Sequence, residues 1–325
     1  MTHAIVVHET GGPEVLQWEA AEVGDPGAGE VRIRHSAVGL NYIDVYFRSG
    51  LYPAASMPFT PGFEGAGTVE AVGPGVAGFA AGDRVCYGTS PPGAYAESRI
   101  IPVSHLVKIP DGIDDRTAAA MMLQGMTVEY LIMHTCPVQA GQTVLFHAAA
   151  GGVGLIACQW LKHLGVEVIG TVGSPEKAAL AKAHGAAHTI NYRTENFVER
   201  VKEITDGKGV PYVYDSVGQD TFMGSLDCLA PFGTLATFGN ASGPIEPFNP
   251  AILGPKGSVY VTRPTLFTHA SHRPRLEEMA GNLFDVVLSG AVTIEVNQTY
   301  PLKDASQAHA DLEGRRTTGS TVYTV

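Results

Sequence analysis

Val144-Leu145-Phe146-His147-Ala148-Ala149-Ala150-Gly151-Gly152-Val153-Gly154 is an apolar run that breaks into small residues. Leu155 to Leu164 then places apolar residues at helical spacing, and Val166 to Val172 is a second apolar run. Strand, glycine turn, helix and strand make a βαβ unit, with glycines where a helix N-terminus approaches a pyrophosphate. A side chain at Gly152 would hold a ligand off the backbone N–H groups, and one at Gly154 would hold the helix off the sheet; Gly151 and Val153 complete the turn. Ala149 stands where the first glycine of G-x-G-x-x-G falls, and such a turn alone also fits a tight strand-to-helix connection without a ligand. The βαβ setting favours a dinucleotide.

The alternation continues toward the C-terminus. Ser174-Pro175-Glu176-Lys177 opens a helix through Ala183, with Ser174 as cap and Pro175 in the first turn. Strands are expected at His188–Tyr192, Pro211–Gly218, Thr234–Gly239 and Ser258–Thr262, and a helix over Phe197–Ile204. With the first two strands these predict an α/β, doubly wound parallel sheet, a Rossmann domain. Upstream, Val31–Val38 alternates apolar and polar residues, Thr68–Val72 and Asp83–Tyr87 do the same, and Gly/Pro turns separate them. That is a β-rich domain. From Asp114 through Met133 the pattern is helical and reads as a linking helix. A helix over His272–Ser289 and a strand near Ser320–Val325 are expected to return to the first domain. The expected division is residues 1–124 completed by 266–325, and residues 125–265.

At 325 residues, with 45% hydrophobic and 16% charged residues, the chain is long enough for two domains with ample core. A net charge of −11 argues against nucleic acid or an anionic membrane as the main partner, both of which need a basic face. Cys86, Cys136, Cys158 and Cys228 form no C-x-x-C pair, which fits a reducing compartment. The run Met1–Glu9 lacks the pattern of a signal peptide, and no apolar stretch reaches membrane-spanning length, so a cytoplasmic location is expected.

In an NAD site the second strand ends in Asp or Glu, which accepts from the ribose 2′-OH. Here it ends Thr171-Val172-Gly173-Ser174, without a carboxylate, and Lys177 follows within a helical turn. Tyr192, at the next strand end, adds a phenolic donor. Lys177 alone reads as a solvated helix lysine and Tyr192 alone as a strand-end aromatic; together with Gly173, Ser174 and the missing acid they suit a 2′-phosphate, hence NADPH. Glu176 is close, but at a helix N-terminus it serves the dipole. The strand ends Ser216, Phe238-Gly239-Asn240 and Arg263-Pro264-Thr265 are expected to line the rest of the crevice.

With Pro61-Gly62-Phe63-Glu64-Gly65-Ala66-Gly67, a β-rich domain ahead of a six-stranded nucleotide domain resembles the medium-chain dehydrogenase/reductase superfamily. Asn41-Tyr42-Ile43-Asp44-Val45-Tyr46-Phe47-Arg48-Ser49-Gly50-Leu51-Tyr52-Pro53 and His147 to Gly154 resemble its NADPH:quinone oxidoreductase, zeta-crystallin-like branch. The resemblance runs from Gly11 to Arg315 and implies a GroES-like fold for the β-rich domain. It places Asn41 and Asp44 near the nicotinamide ribose or carboxamide, Thr127 and Tyr130 on the nicotinamide side, and Arg315 among the cofactor contacts. Relatives of this kind are often dimers, and the sixth strand offers an edge for a two-fold partner. Zinc-dependent members carry Gly-His-Glu where this chain has Gly62-Phe63-Glu64. Phenylalanine cannot ligate, the position of the catalytic cysteine falls at or near Asn41, and no metal is expected.

Without zinc, hydride donation to an electron-poor acceptor is the easier chemistry, because a quinone or a conjugated carbon–carbon double bond needs no Lewis acid. Tyr46 and Tyr52 offer flat faces and hydroxyls to such an acceptor, or else are core or rim aromatics. Gln124, one turn before Thr127, faces the same cleft; some relatives have lysine there. The expected activity is NADPH-dependent quinone reduction, with enone or enal double-bond reduction as the alternative. A third possibility, a nucleotide-binding structural or RNA-binding relative, is disfavoured by the acidic balance.

Overall fold

A computed structural model describes residues 2–325. It divides into two compact units: the chain up to Met126 with His269–Leu288 and Ile294–Val325, and Thr127–Thr268 with Ser289–Thr293.

The second unit is built on a six-stranded sheet in the spatial order His188–Asn191, Glu167–Val172, Thr143–Phe146, Val210–Asp215, Leu229–Thr237, Tyr260–Thr262. Every pairing is parallel. Numbered along the chain this is the order 3-2-1-4-5-6 of a Rossmann domain, whose strand order reverses beside the first strand. Parallel strands are covered on both faces, which explains why they read as apolar runs rather than alternations. Leu145, Ile169, Ile190, Val213 and Leu235 are fully buried in one cluster. The helix Gly152–His163, which packs on Glu167–Val172, buries Leu155, Ile156, Cys158, Trp160 and Leu161. Each large apolar side chain so buried is worth about 1.5–3 kcal/mol. Where one helix was expected through Met133, Met122–Tyr130 gives way to a π turn over Leu131–Thr135.

The first unit is a GroES-like β structure. Its sheet runs Val296–Pro301, Ser320–Thr324, Glu30–Leu40, Gly65–Val72, Arg84–Tyr87, Val107–Lys108, and Ser98–Pro102 also pairs with Glu30–Leu40. The chain's last strand thus lies antiparallel to Glu30–Leu40, with Thr321 opposite Leu40. Val31, Ile33, Val38, Val85, Tyr87, Tyr95 and Tyr323 fill the core beneath it. The helix Arg273–Leu288 buries Leu276, Met279, Ala280 and Leu283, an i, i+3, i+4, i+7 stripe. Among the described residues no helix is long and apolar enough to cross a membrane.

Candidate functional site

In the second unit the turn after Thr143–Phe146 is tight. Ala148 takes a left-handed φ of 54°, and its carbonyl accepts from the Gly151 N–H at 2.9 Å. Gly152, Val153 and Gly154 form the first turn of the helix, whose leading N–H groups are left for a ligand. A Cβ on Gly154 would stand 2.4 Å from the Ala148 carbonyl oxygen and 2.7 Å from Ala149 backbone atoms, so only glycine lets the helix start this close to the strand. Ala149 replaces the first glycine because the next strand makes room for it. A Cβ on Gly170 would lie 2.6 Å from the Ala149 methyl, so the methyl occupies the space that Gly170 leaves.

At the end of Glu167–Val172, Ser174 caps the helix Pro175–Ala183 by accepting from the Lys177 N–H. Glu176 is exposed and bonds Ser174, which lowers its pKa; it serves the helix end. The Tyr192 hydroxyl lies 2.6 Å from where a Cβ would stand on Gly173, and Arg193 Nε lies 3.6 Å from the same point. Gly173, Ser174 and Tyr192 are therefore neighbours, and Ser174 caps the helix that carries Lys177. Arg193 joins them as a residue the sequence reading did not single out.

The remaining strand ends also converge. A Cβ on Gly239 would stand 2.3 Å from the Ser216 carbonyl oxygen. Arg263 Nη1 donates to Gly239 O at 2.9 Å and to Thr237 Oγ1 at 3.0 Å. The Phe238 ring sits 6.1 Å from Phe146, and Asn240 O accepts from the Gly243 N–H. Pro264 and Thr265 follow the edge strand, half-buried and exposed respectively. Thr127 and Tyr130 are buried and hydrogen-bonded to each other; burial raises the phenol's pKa, opposed by the nearby Arg263.

In the first unit Asn41 begins the helix Tyr42–Ser49 in a capping box with Asp44. The Asn41 N–H donates to Asp44 Oδ2 at 2.9 Å, and the Tyr95 hydroxyl donates to the same oxygen at 3.0 Å. Asn41 Nδ2 donates to Glu64 Oε2 at 2.6 Å, and the Leu123 N–H donates to Glu64 Oε1 at 2.9 Å. Gln124 Nε2 donates to Asn41 Oδ1 at 3.2 Å, and Ser320 Oγ lies 2.9 Å from Gln124 Oε1. Burial pushes Asp44 up to about 7 and Glu64 up to about 8, against the hydrogen bonds that each accepts. Behind Tyr95, His309 Nε2 is 3.0 Å from its hydroxyl, and buried Arg48 pairs in a fork with Glu313 at 2.8 and 2.9 Å. Burial lowers His309 to about 3, so its imidazole is neutral.

Tyr46 is buried and Tyr52 half-buried, their ring centroids 5.2 Å apart. They belong to an aromatic group with Tyr42, Phe47 and Phe63. Arg315, at a left-handed φ of 58° after the helix Ala305–Glu313, lies close enough to Tyr42 to act on its hydroxyl.

Residues 27–111 match the alcohol dehydrogenase GroES-like domain and residues 152–291 the zinc-binding dehydrogenase family. A quinone oxidoreductase of Pseudomonas aeruginosa is 56% identical over 312 residues, 96% of both chains. The chain belongs to the quinone oxidoreductase family. A crystal structure of the Escherichia coli quinone oxidoreductase complexed with NADPH superposes with a TM-score of 0.98, at 48% identity over 99% of this chain and all of that one. A 2-haloacrylate reductase of Burkholderia is 47% identical, over 99% of this chain and 98% of its own. The family sits in the medium-chain dehydrogenase/reductase superfamily.

Within this quinone oxidoreductase family member, the position of the zinc relatives' histidine is filled by Phe63, 1% exposed and 5.0 Å from the Phe47 ring. Among the described residues no three His, Cys, Asp or Glu side chains group as a metal site. In the first unit the polar residues to which the sequence alone gave no role are Glu64, Tyr95, Arg48, His309 and Ser320. Glu64 alone carried a signal, as a lone carboxylate inside a glycine-rich apolar run; the others meet only through the fold.

Proposed function

We propose that this chain reduces a quinone with NADPH, without a metal. Bound NADPH supplies a hydride; the quinone takes it with one proton from water and leaves as the hydroquinone. One observation carries the cofactor assignment. The second strand ends without a carboxylate, and Gly173, Ser174, Tyr192 and Arg193 crowd one point beside the Lys177 helix end. That is a local basic, hydroxyl-rich cradle inside a protein of net charge −11, suited to a 2′-phosphate. The helix end at Gly152–Gly154 takes the pyrophosphate. Ser216, Phe238, Gly239, Asn240, Arg263, Pro264 and Thr265 flank the rest of the dinucleotide, with Thr127 and Tyr130 toward its nicotinamide end.

Asn41 and Asp44 hold the nicotinamide ribose or carboxamide, and the buried bonds of both to Glu64, Gln124 and Tyr95 fix their orientation. Arg315 adds a cofactor contact. Tyr46 and Tyr52 present ring faces and hydroxyls to the acceptor. Phe63 keeps that region apolar where a metal ligand stands in zinc relatives. The second reading is reduction of an activated carbon–carbon double bond, favoured by the likeness to the 2-haloacrylate reductase. In solution we infer a homodimer formed along the edge strand Tyr260–Thr262, which pairs on one side and leaves Tyr260 59% exposed. The location we infer is cytoplasmic.

The test is equilibrium binding of NADPH and NADH, followed by turnover with a small 1,4-quinone. Tighter binding of NADPH by at least about tenfold, with quinone-dependent oxidation, supports the reading. Equal affinities overturn the cofactor assignment. Turnover with a 2-haloacrylate but not with a quinone moves the activity to the second reading.

A further inference from the structure

Beneath the glycine turn lies a buried polar chain that the hydride reaction does not use. His147, directly after the first strand of the Rossmann sheet, is 1% exposed. Its Nδ1 is 2.9 Å from Thr171 Oγ1, and its Nε2 is 2.9 Å from Ser225 Oγ. Ser225 Oγ donates to Asp215 Oδ2 at 3.2 Å, and Thr221 Oγ1 donates to the same oxygen at 2.7 Å. Asp215 Oδ1 accepts from the Val217 and Gly218 N–H groups at 2.8 and 3.1 Å. At the other end, the Ala148 N–H points to Thr171 Oγ1 at 3.4 Å, and the Ala149 N–H donates to Thr171 O at 3.0 Å.

One arrangement of protons gives every donor in this chain an acceptor. In it the Ser225 hydroxyl donates to Asp215 Oδ2, and Ser225 Oγ accepts from His147 Nε2–H. Nδ1 then accepts from the Thr171 hydroxyl, whose oxygen is free to receive the Ala148 N–H. Each donor has an acceptor and the imidazole is neutral, in agreement with burial holding His147 below its usual pKa against the pull of Asp215. The chain links two loops at the sheet's C-terminal edge: the turn with Ala148 at φ 54°, and the Ser216–Gly218 loop. A non-glycine residue at positive φ costs about 1–3 kcal/mol and persists only where its surroundings fix it.

We infer that Thr171, His147 and Ser225 are positioning residues for dinucleotide binding, acting as one hydrogen-bonded strut from Asp215 to the Ala148 amide that sets the glycine turn before the pyrophosphate arrives. This rests on the NADPH reading above. The strut predicts that cutting it at a distance loosens the turn. Ser225 sits on the short helix Phe222–Asp227, and its hydroxyl bonds the His147 ring and Asp215 rather than the Ala148 amide.

The experiment compares wild type with Ser225→Ala, Thr171→Val and Thr171→Ser by NADPH titration and steady-state kinetics, with folding checked by circular dichroism. Thr171→Val keeps the β-branched shape and removes the hydroxyl, so the Kd and KM for NADPH rise roughly tenfold while kcat at saturating NADPH changes far less. Thr171→Ser restores the hydroxyl and returns affinity toward wild type. Ser225→Ala raises the same Kd several-fold in the same direction. A folded Ser225→Ala that binds NADPH within twofold of wild type overturns the strut. Should that variant not fold, equal affinity in the two Thr171 variants overturns it, and rescue by serine upholds it. Failure of wild type to bind NADPH would instead defeat the cofactor reading.

Discussion

Glu64→Gln is expected to remove most of one component of this protein's pH-dependent stability. Glu64 is fully buried, and burial raises its carboxyl from 4.5 to about 8. The native state therefore keeps a proton that the unfolded chain releases once the pH passes 4.5. Between pH 4.5 and 8 the native state binds more protons, so stability falls as the pH rises and levels off above 8. At about 1.4 kcal/mol per pH unit the component amounts to on the order of 5 kcal/mol from pH 4 to 9. Glutamine removes it at little structural cost. Its oxygen still accepts from the Leu123 N–H, and its amide donates to Asn41 if the Asn41 and Gln124 amides turn over. Gln124 then donates to Ser320 Oγ, which retains an acceptor in Ala120 O at 2.9 Å. Urea unfolding at pH 5, 7 and 9 reads the difference directly. The variant should gain on wild type with rising pH, by roughly 2–5 kcal/mol between the extremes. Parallel curves would show that burial does not hold the Glu64 proton.

Three further outcomes follow from the geometry. Gly154→Ala places a methyl 2.4 Å from the Ala148 carbonyl, so the turn must open; NADPH affinity falls by at least about tenfold in calorimetry while circular dichroism remains native. Arg48→Ala leaves Glu313 without its cation and His309 Nδ1 without the Arg48 Nη1 donor 3.4 Å away, and removes a side chain that is 1% exposed, for a loss of about 2–4 kcal/mol in urea unfolding. Arg193→Gln raises the Kd for NADPH several-fold and leaves that for NADH unchanged; a matching loss for both would place Arg193 away from the 2′-phosphate.

How much of this was legible in the sequence varies with the range of the interaction. The Val144–Val172 run announced a βαβ unit because buried parallel strands are continuously apolar and the turn needs glycine, both local demands. The cap at Ser174 and the stripe in Arg273–Leu288 are equally local. Val296–Pro301 was missed because it is a polar edge strand ending in proline, with no periodic apolar face to betray it. The helix Ala305–Glu313 was missed because its buried Ala305, Ala308 and His309 include a histidine that reads as polar. The Asn41–Glu64–Gln124–Ser320 network joins residues as much as 279 positions apart in the chain. No spacing rule connects them, and only the sheet that sets Ser320–Thr324 beside Glu30–Leu40 brings them together. Ala149 shows the converse: a departure from the glycine motif becomes intelligible only with Gly170 on the neighbouring strand.

Hydride transfer from NADPH to a quinone by this fold is tested most directly by single-turnover quinone reduction with NADPH deuterated at one or the other C4 position. Quinone-dependent oxidation of NADPH should be slowed by deuterium at one of the two positions and not at the other, because a fixed nicotinamide presents one face. Equal rates with both labels and unlabelled NADPH, or no oxidation on adding the quinone, would contradict it.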